Sequence, residues 1–180
     1  MLFRSLIKWL APILSFTAEE AWMQYRPSGP ESVHLLPFPE IPGNWRDDNL
    51  AAKWDRVREV RSAVTGALEV ERANKKIGSS LEAAPDVYVT DKDLMSALSG
   101  VDMAEVCITS EISVSAQPAP AGAFTQASTA GVGVVVKLAE GTKCARSWRI
   151  TTDVGSNPKY PDLSARDAAA VAEIDGRAKA

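Results

Sequence analysis

Residues 54–83 read WDRVREVRSAVTGALEVERANKKIGSSLEA. Val57, Val60, Val64 and Leu68 recur at three- and four-residue spacing, the period of one buried helical face. Followed in both directions, the pattern predicts a long helix from about Asn49 to Lys76. Asp47 or Asp48 would cap it, and Gly78 would stop it. Its stripe is read as Leu50, Trp54, Val57, Val60, Val64, Leu68 and Ile77. Positions 53–76 hold seven basic residues (Lys53, Arg56, Arg58, Arg61, Arg72, Lys75, Lys76) and four acids (Asp55, Glu59, Glu69, Glu71), a charge of +3. Such a face suits a phosphate backbone; it equally suits a solvated surface with Glu–Arg pairs at helical spacing.

Upstream, Leu2, Phe3, Leu6, Ile7 and Leu10 form an apolar helical stripe that Ile13 and Leu14 continue. Pro12 removes a helical hydrogen bond, so a kink or an early end is expected there. Thr17 with Glu20 reads as a capping box opening a short helix to about Tyr25, stopped by residues 26–30 (RPSGP). Ser32 to Pro39 (SVHLLPFP) reads as extended. A stripe this apolar should bury itself against other helices, so the rest of a bundle is expected outside this chain.

Downstream of Ala84 the texture changes. Val87 to Val89, Val106 to Ile108, Ile112 to Val114 and Val134 to Leu138 read as strands, and Asp91 to Leu98 as a helix ended by Gly100. Residues 117–133, rich in Ala, Pro, Gly, Ser and Thr, read as a poorly ordered loop or linker. Residues 141–163 read as turns and 164–174 as a last helix.

The whole chain, 180 residues with 20 basic and 23 acidic side chains, is too acidic for a globally basic nucleic-acid binder, although a local basic face remains open. Two cysteines and one histidine exclude a four-cysteine zinc site and every two-histidine motif. Arg4 and Lys8 break the N-terminal apolar run, so it is not read as a signal peptide. No apolar run approaches the ~20 residues of a membrane span, and a cytoplasmic location is expected. No phosphate loop, dinucleotide fingerprint or nucleophile elbow occurs. His34 lacks a catalytic partner and is read as structural, and Glu19 and Glu20 as helix-start charge.

The remaining concentration of chemistry is KCARSWR: Lys143, Arg146, Trp148 and Arg149 place three cations and an indole in seven residues without an acid. Cations contact phosphate, and an indole or guanidinium stacks on an unpaired base. A solvated basic turn with its tryptophan packed inward fits the same composition.

Taken together, WLAPILSFTAEEAW (Trp9 to Trp22), SVHLLPFP and the run ending in KKIGSSLEA resemble, in order, the C-terminal part of the bacterial isoleucyl-tRNA synthetase family. The likeness covers most of the chain and is weakest over 117–133. It implies an α+β fold. A helical remnant of an anticodon-binding bundle would span 1–84, a small mixed α/β domain 85–139, and an irregular zinc-module-like tail 140–180. It implies binding of the anticodon side of isoleucine tRNA, in support of ATP- and magnesium-dependent ligation carried out by upstream catalytic and editing domains. The catalytic H-I-G-H and K-M-S-K-S signatures are absent, so no residue here is expected to be catalytic. The alternative is a module that braces the ligase without touching RNA. No membrane partner is implied.

Many members of that family carry a zinc module with a C-x-R-C-W pair and a second cysteine pair downstream. Here Cys144, Arg146 and Trp148 match, while Ser147, Ser164 and Asp167 stand at the other three ligand positions. No zinc is therefore expected. The resemblance places Arg146 and Trp148 near the anticodon, with Lys143 and Arg149 beside them. Arg72, Lys75 and Lys76 would contact the phosphate backbone.

Overall fold

The computed structural model describes residues 2–26 and 32–177, and the chain divides into two compact units, Met1–Asp47 and Asp48–Ala180. In the first unit, α1 (Leu2–Leu10) ends two residues before Pro12, and α2 (Ser15–Tyr25) follows. A small core of Ile7, Ala11, Ala18, Trp22 and Val33 joins them. Most of the α1 stripe lies outside that core: Leu2 is 79% exposed and Leu6 48%.

Three expectations for this unit are corrected. Thr17 is not a cap: α2 begins at Ser15, with Ala18 N–H already donating to Leu14 O at 2.8 Å, so Thr17 lies inside the first turn. Glu19 and Glu20 are not helix-start charge, since α2 opens at Ser15 and has no acid in its first turn; Glu19 Oε2 instead accepts from Ser32 Oγ and Val33 N, both at 2.9 Å. That anchor, with Ser32 Oγ accepting from His34 N–H, winds Val33–Leu35 into a 3-10 turn rather than the expected extended segment. His34 Nε2 donates to the Ser15 carbonyl at 3.1 Å, a structural tie. The stop expected at residues 26–30 falls mostly outside the described residues; α2 ends at Tyr25, with Arg26 N–H on Trp22 O at 2.9 Å.

The second unit is built on α3 (Asp48–Ala73). Val57, Val60, Ala63, Val64, Ala67 and Leu68 are buried along it, while Leu50 (50% exposed) and Trp54 (37%) precede the buried stretch, contrary to the expected stripe. The helix stops at a left-handed residue, but at Lys75 (φ 59°) rather than Gly78. Lys75 N–H donates to Arg72 O and Lys76 N–H to Glu71 O, both at 3.0 Å, which satisfies the last carbonyls.

Against α3 lies a four-stranded sheet in the order β2-β1-β4-β3, from β1 (Asp86–Val89), β2 (Ser113–Ser115), β3 (Phe124–Thr125) and β4 (Val132–Val135). β1 and β2 are parallel, and the other pairs antiparallel. A parallel pair needs a crossover, supplied by α4 (Lys92–Ala97) and α5 (Met103–Cys107). Val87, Val89, Val132 and Val134 face the α3 stripe, with Leu94, Met103 and Cys107 closing the core.

Residues 106–108 belong to a helix end, not a strand. Asp102 accepts from Ala104 N at 3.0 Å and Glu105 N at 3.1 Å, opening α5, and Ile108 terminates it at φ 57°. The capping carboxylate outweighs the β-propensity of a Val-Cys-Ile triplet. Residues 117–133 are not a linker either. They hold β3 and the start of β4, and Phe124 packs so closely on α3 that a Cβ at Gly66 would lie 3.0 Å from its ring.

The expected turns at 141–163 contain a short hairpin, β5 (Thr142–Lys143) and β6 (Ile150–Thr151), and α6 (Ala165–Arg177) closes the unit. Cys144, Leu163 and Ala168 form the buried centre between hairpin and helix, with Tyr160 and Val171 beside it. Among the described residues no helix is long and apolar enough to cross a membrane.

Candidate nucleic-acid interface

The β5–β6 hairpin pairs Thr142 with Thr151 and Lys143 with Ile150. Residues 144–149 make the tight turn between them. Cys144 N donates to Arg149 O at 2.8 Å, and Trp148 N returns to Cys144 O at 2.9 Å. This closure sets Trp148 at φ 63°, a left-handed conformation uncommon for a bulky residue. The consequence is an indole left 62% exposed instead of packed inward. Lys143 Nζ stands 5.3 Å from the indole centroid, a cation–π distance.

The other two cations of the cluster are committed to protein groups. Arg149 Nη2 donates to Ser110 O at 2.6 Å, and its Nε is buried without a partner. Arg146 is half exposed, with Nε 3.6 Å from Asp167 Oδ1. On the last turn of α3, Arg72 pairs with Glu69; just beyond the helix, Lys76 pairs with Glu71 at 2.7 Å and Lys75 is the exposed left-handed residue. Among the described residues no ion pair, hydrogen bond or ring contact joins these three to the hairpin cations. Together they offer an exposed aromatic–cation pair at the hairpin and a separate basic end of α3.

Beneath the turn, the four positions singled out from the sequence do meet. Cys144 Sγ donates to Asp167 Oδ2 at 3.2 Å, and Ser164 Oγ donates to the same oxygen at 3.0 Å. Ser164 N–H points at Cys144 Sγ, 3.4 Å away. Ser147 Oγ is buried without a well-formed hydrogen bond, yet it lies close enough to favour ionised Asp167. That hydroxyl, then the Cys144 thiol and the Ser164 hydroxyl, hold Asp167 below the usual carboxylate range despite burial. Burial pushes the Cys144 thiol up; the Ser147 hydroxyl and the surrounding backbone N–H groups outweigh it and bring the thiol below its ordinary value.

These donors do not fit zinc. Tetrahedral zinc would space a sulfur and an oxygen about 3.5 Å apart and two oxygens about 3.3 Å apart. The contacts at 3.2 and 3.0 Å are shorter than both edges and are bridged by protons. Two of the four groups are neutral hydroxyls, which are poor zinc ligands. Among the described residues no group of three or more His, Cys, Asp or Glu could hold a metal ion.

Sequence reasoning assigned Asp167 only as a lost ligand and missed its structural part. The available signal was Ser164-Ala165-Arg166-Asp167, a capping pattern. Ser164 Oγ accepts from Asp167 N–H at 3.3 Å at the start of α6. Asp153 was also missed: its Oδ2 accepts Ala165 N–H at 3.1 Å and its Oδ1 the Thr151 hydroxyl at 2.5 Å, linking α6 to β6.

Residues 1–88 match the model of the anticodon-binding domain of tRNA ligase. The chain is 62% identical over 173 residues to an isoleucine–tRNA ligase of Agrobacterium fabrum, covering 96% of this chain and 18% of that protein. It is 57% identical over 178 residues to the isoleucine–tRNA ligase of Brucella abortus, covering 99% and 18%. For that of Bradyrhizobium diazoefficiens the identity is 56%, covering 96% and 17%. The chain thus spans about a fifth of the length of the curated relatives it matches. Its first 88 residues thus match the anticodon-binding domain of tRNA ligases, and almost its whole length is similar to the C-terminal part of bacterial isoleucine–tRNA ligases.

Proposed function

We propose that this chain binds the anticodon side of isoleucine tRNA as the C-terminal part of a cytoplasmic isoleucine–tRNA ligase. The observation that carries the reading is the Lys143–Trp148 pair: an exposed indole fixed by a left-handed turn, with an ammonium against its ring. An indole face stacks on an unpaired loop base while the adjacent cation meets phosphate. Lys75 and its neighbours on α3 add salt-dependent contact to the backbone. The ligase reaction, ATP-dependent activation of isoleucine and its transfer to tRNA, belongs to other domains. This part supplies binding energy remote from the reacting centre, which orients the acceptor end.

The test is a fluorescence titration of the chain with isoleucine tRNA and a non-cognate tRNA at low and moderate salt. Cognate-preferring binding that weakens with salt and is lost in Trp148→Ala supports the reading. Equal or absent binding to both tRNAs overturns it for the isolated chain.

A second reading rests on α1, where Leu2, Phe3, Leu6 and Trp9 are 40–79% exposed. An apolar face of that kind braces the module against neighbouring ligase domains. Both roles are compatible in one chain, because they use different units.

A further inference from the structure

We infer that the knuckle formed by the β5–β6 hairpin and the start of α6 is a metal-free module in which the Asp167 carboxylate occupies the organising place of a metal, and that Asp167 is the positioning residue for the turn carrying Lys143 and Trp148. One oxygen, Oδ2, gathers Cys144 from the hairpin and Ser164 from the start of α6. The other faces Arg146 on the turn itself. Asp167 is 5% exposed, Cys144 0% and Ser164 6%, so these three form a buried polar centre and satisfy one another, beside a Ser147 hydroxyl that makes no hydrogen bond of its own. Buried ionised groups persist only when paired and hydrogen-bonded, and Asp167 has both kinds of partner.

The link to the exposed face is short. Cys144, held at Sγ by Asp167, uses its backbone N–H and C=O to close the turn on Arg149 and Trp148. Lys143 precedes it in β5. A metal would clamp both halves of such a knuckle through four bonds to one ion. Here one carboxylate clamps them through proton-bridged contacts to the hairpin, the turn and the helix. The geometry makes the module independent of metal supply and of chelators.

The metal-free half stands on the donor geometry alone; the positioning half, insofar as it concerns RNA, rests on the function proposed above. The experiment separates them. The chain is produced with zinc in the medium, and its metal content and melting midpoint are measured with and without a chelator. It is compared with the triple variant Ser147→Cys, Ser164→Cys, Asp167→Cys, which rebuilds four thiols. The expected result is no stoichiometric zinc and an unchanged midpoint for the native chain. The triple variant takes about one zinc per chain, and the chelator lowers its midpoint. About one zinc per native chain, lost in Asp167→Asn, overturns the inference.

Positioning is read by fluorine NMR of chains carrying fluorotryptophan, with the Trp148 resonance assigned by Trp148→Phe. In Asp167→Ala and the milder Asp167→Asn that resonance shifts, those of Trp9 and Trp22 stay in place, and zinc-loaded triple variant restores it. An unmoved Trp148 resonance in both variants overturns the positioning role. If the resonance moves, isoleucine tRNA affinity should fall about tenfold, near the value of one stacked base. A moved resonance with unchanged affinity supports the positioning role and overturns the RNA reading instead.

Discussion

Arg149 Nη2 donates a 2.6 Å hydrogen bond to the carbonyl oxygen of Ser110. Ser110 sits 2% exposed between the sheet and the hairpin, and its hydroxyl accepts Ile150 N–H at 2.7 Å while donating to Leu81 O at 2.5 Å. The guanidinium therefore fastens the hairpin to the segment ahead of β2. Replacing it by methionine keeps the stem and leaves a buried carbonyl without its charged donor. Arg149→Met should lower stability by about 1.5–3 kcal/mol, the usual cost for a hydrogen bond to a charged group, as read by urea denaturation. The salt dependence of tRNA binding should be unchanged at temperatures where the variant is folded.

Lys143 should show the opposite separation. Its ammonium lies over the exposed Trp148 ring and fastens nothing buried. Lys143→Ala should leave the melting midpoint nearly unchanged. The slope of log affinity against log salt should fall by about 0.7, the value of one phosphate contact on a single strand. A slope equal to that of the native chain would remove Lys143 from the interface.

Lys75 has two roles that one substitution pulls apart. Its φ of 59° is easy for glycine and strained for lysine. Lys75→Gly should stabilise the chain by about 0.5–1 kcal/mol in thermal unfolding, while weakening salt-dependent RNA binding. A loss of stability would mean that the side chain contributes more to the helix end than its backbone conformation costs.

How much of this was legible follows from the range of the interactions involved. The α3 stripe from Val57 to Leu68 and the β1 and β4 segments were readable, because each is a local period of apolar residues. The ends of elements were not. Lys75 supplies the left-handed stop that Gly78 advertised, since the hydrogen bonds to Arg72 and Glu71 carbonyls close at that residue. The strand at Phe124 was hidden by its composition; what orders it is the gap left by Gly66 on α3, 58 positions away in sequence, a partner no local pattern reveals. At the interface, residue types pointed to Lys143 and Trp148. The diversion of Arg149 to Ser110 came only with the tertiary structure.

Asp86 and Lys137 give a pH signature. The Lys137 ammonium, with help from the Ser113 hydroxyl, holds the Asp86 carboxyl below its usual range, and Asp86 in turn raises Lys137. A carboxyl depressed in the folded state contributes stability above its ordinary value of about 4 and loses it as pH falls through the folded value. An ammonium raised in the folded state contributes below about 10.5 and loses it as pH rises through the folded value. The difference in melting midpoint between the native chain and Lys137→Met should therefore be constant from about pH 5 to 9 and shrink at both ends. A difference that persists at pH 2 would show that Lys137 acts through packing of its stem.

Gly141 tests the hairpin most severely. It adopts φ 112°, and a Cβ there would stand 2.3 Å from Thr151 O and 2.4 Å from Thr151 C, backbone atoms of the paired strand. Neither the conformation nor the space can be relieved by turning a side chain. Gly141→Ala should therefore force β5 away from β6, at a cost on the order of 2–3 kcal/mol. The break should be local: amide exchange should accelerate at Cys144, whose N–H closes on Arg149 O, while Val87 and Val134 in the four-stranded sheet keep their protection. With the turn released, the Trp148 emission should move toward that of a fully solvated indole, and tRNA affinity should fall to the level of Trp148→Ala. Native-like exchange at Cys144 would show that the Asp167 contacts hold the turn without the hairpin.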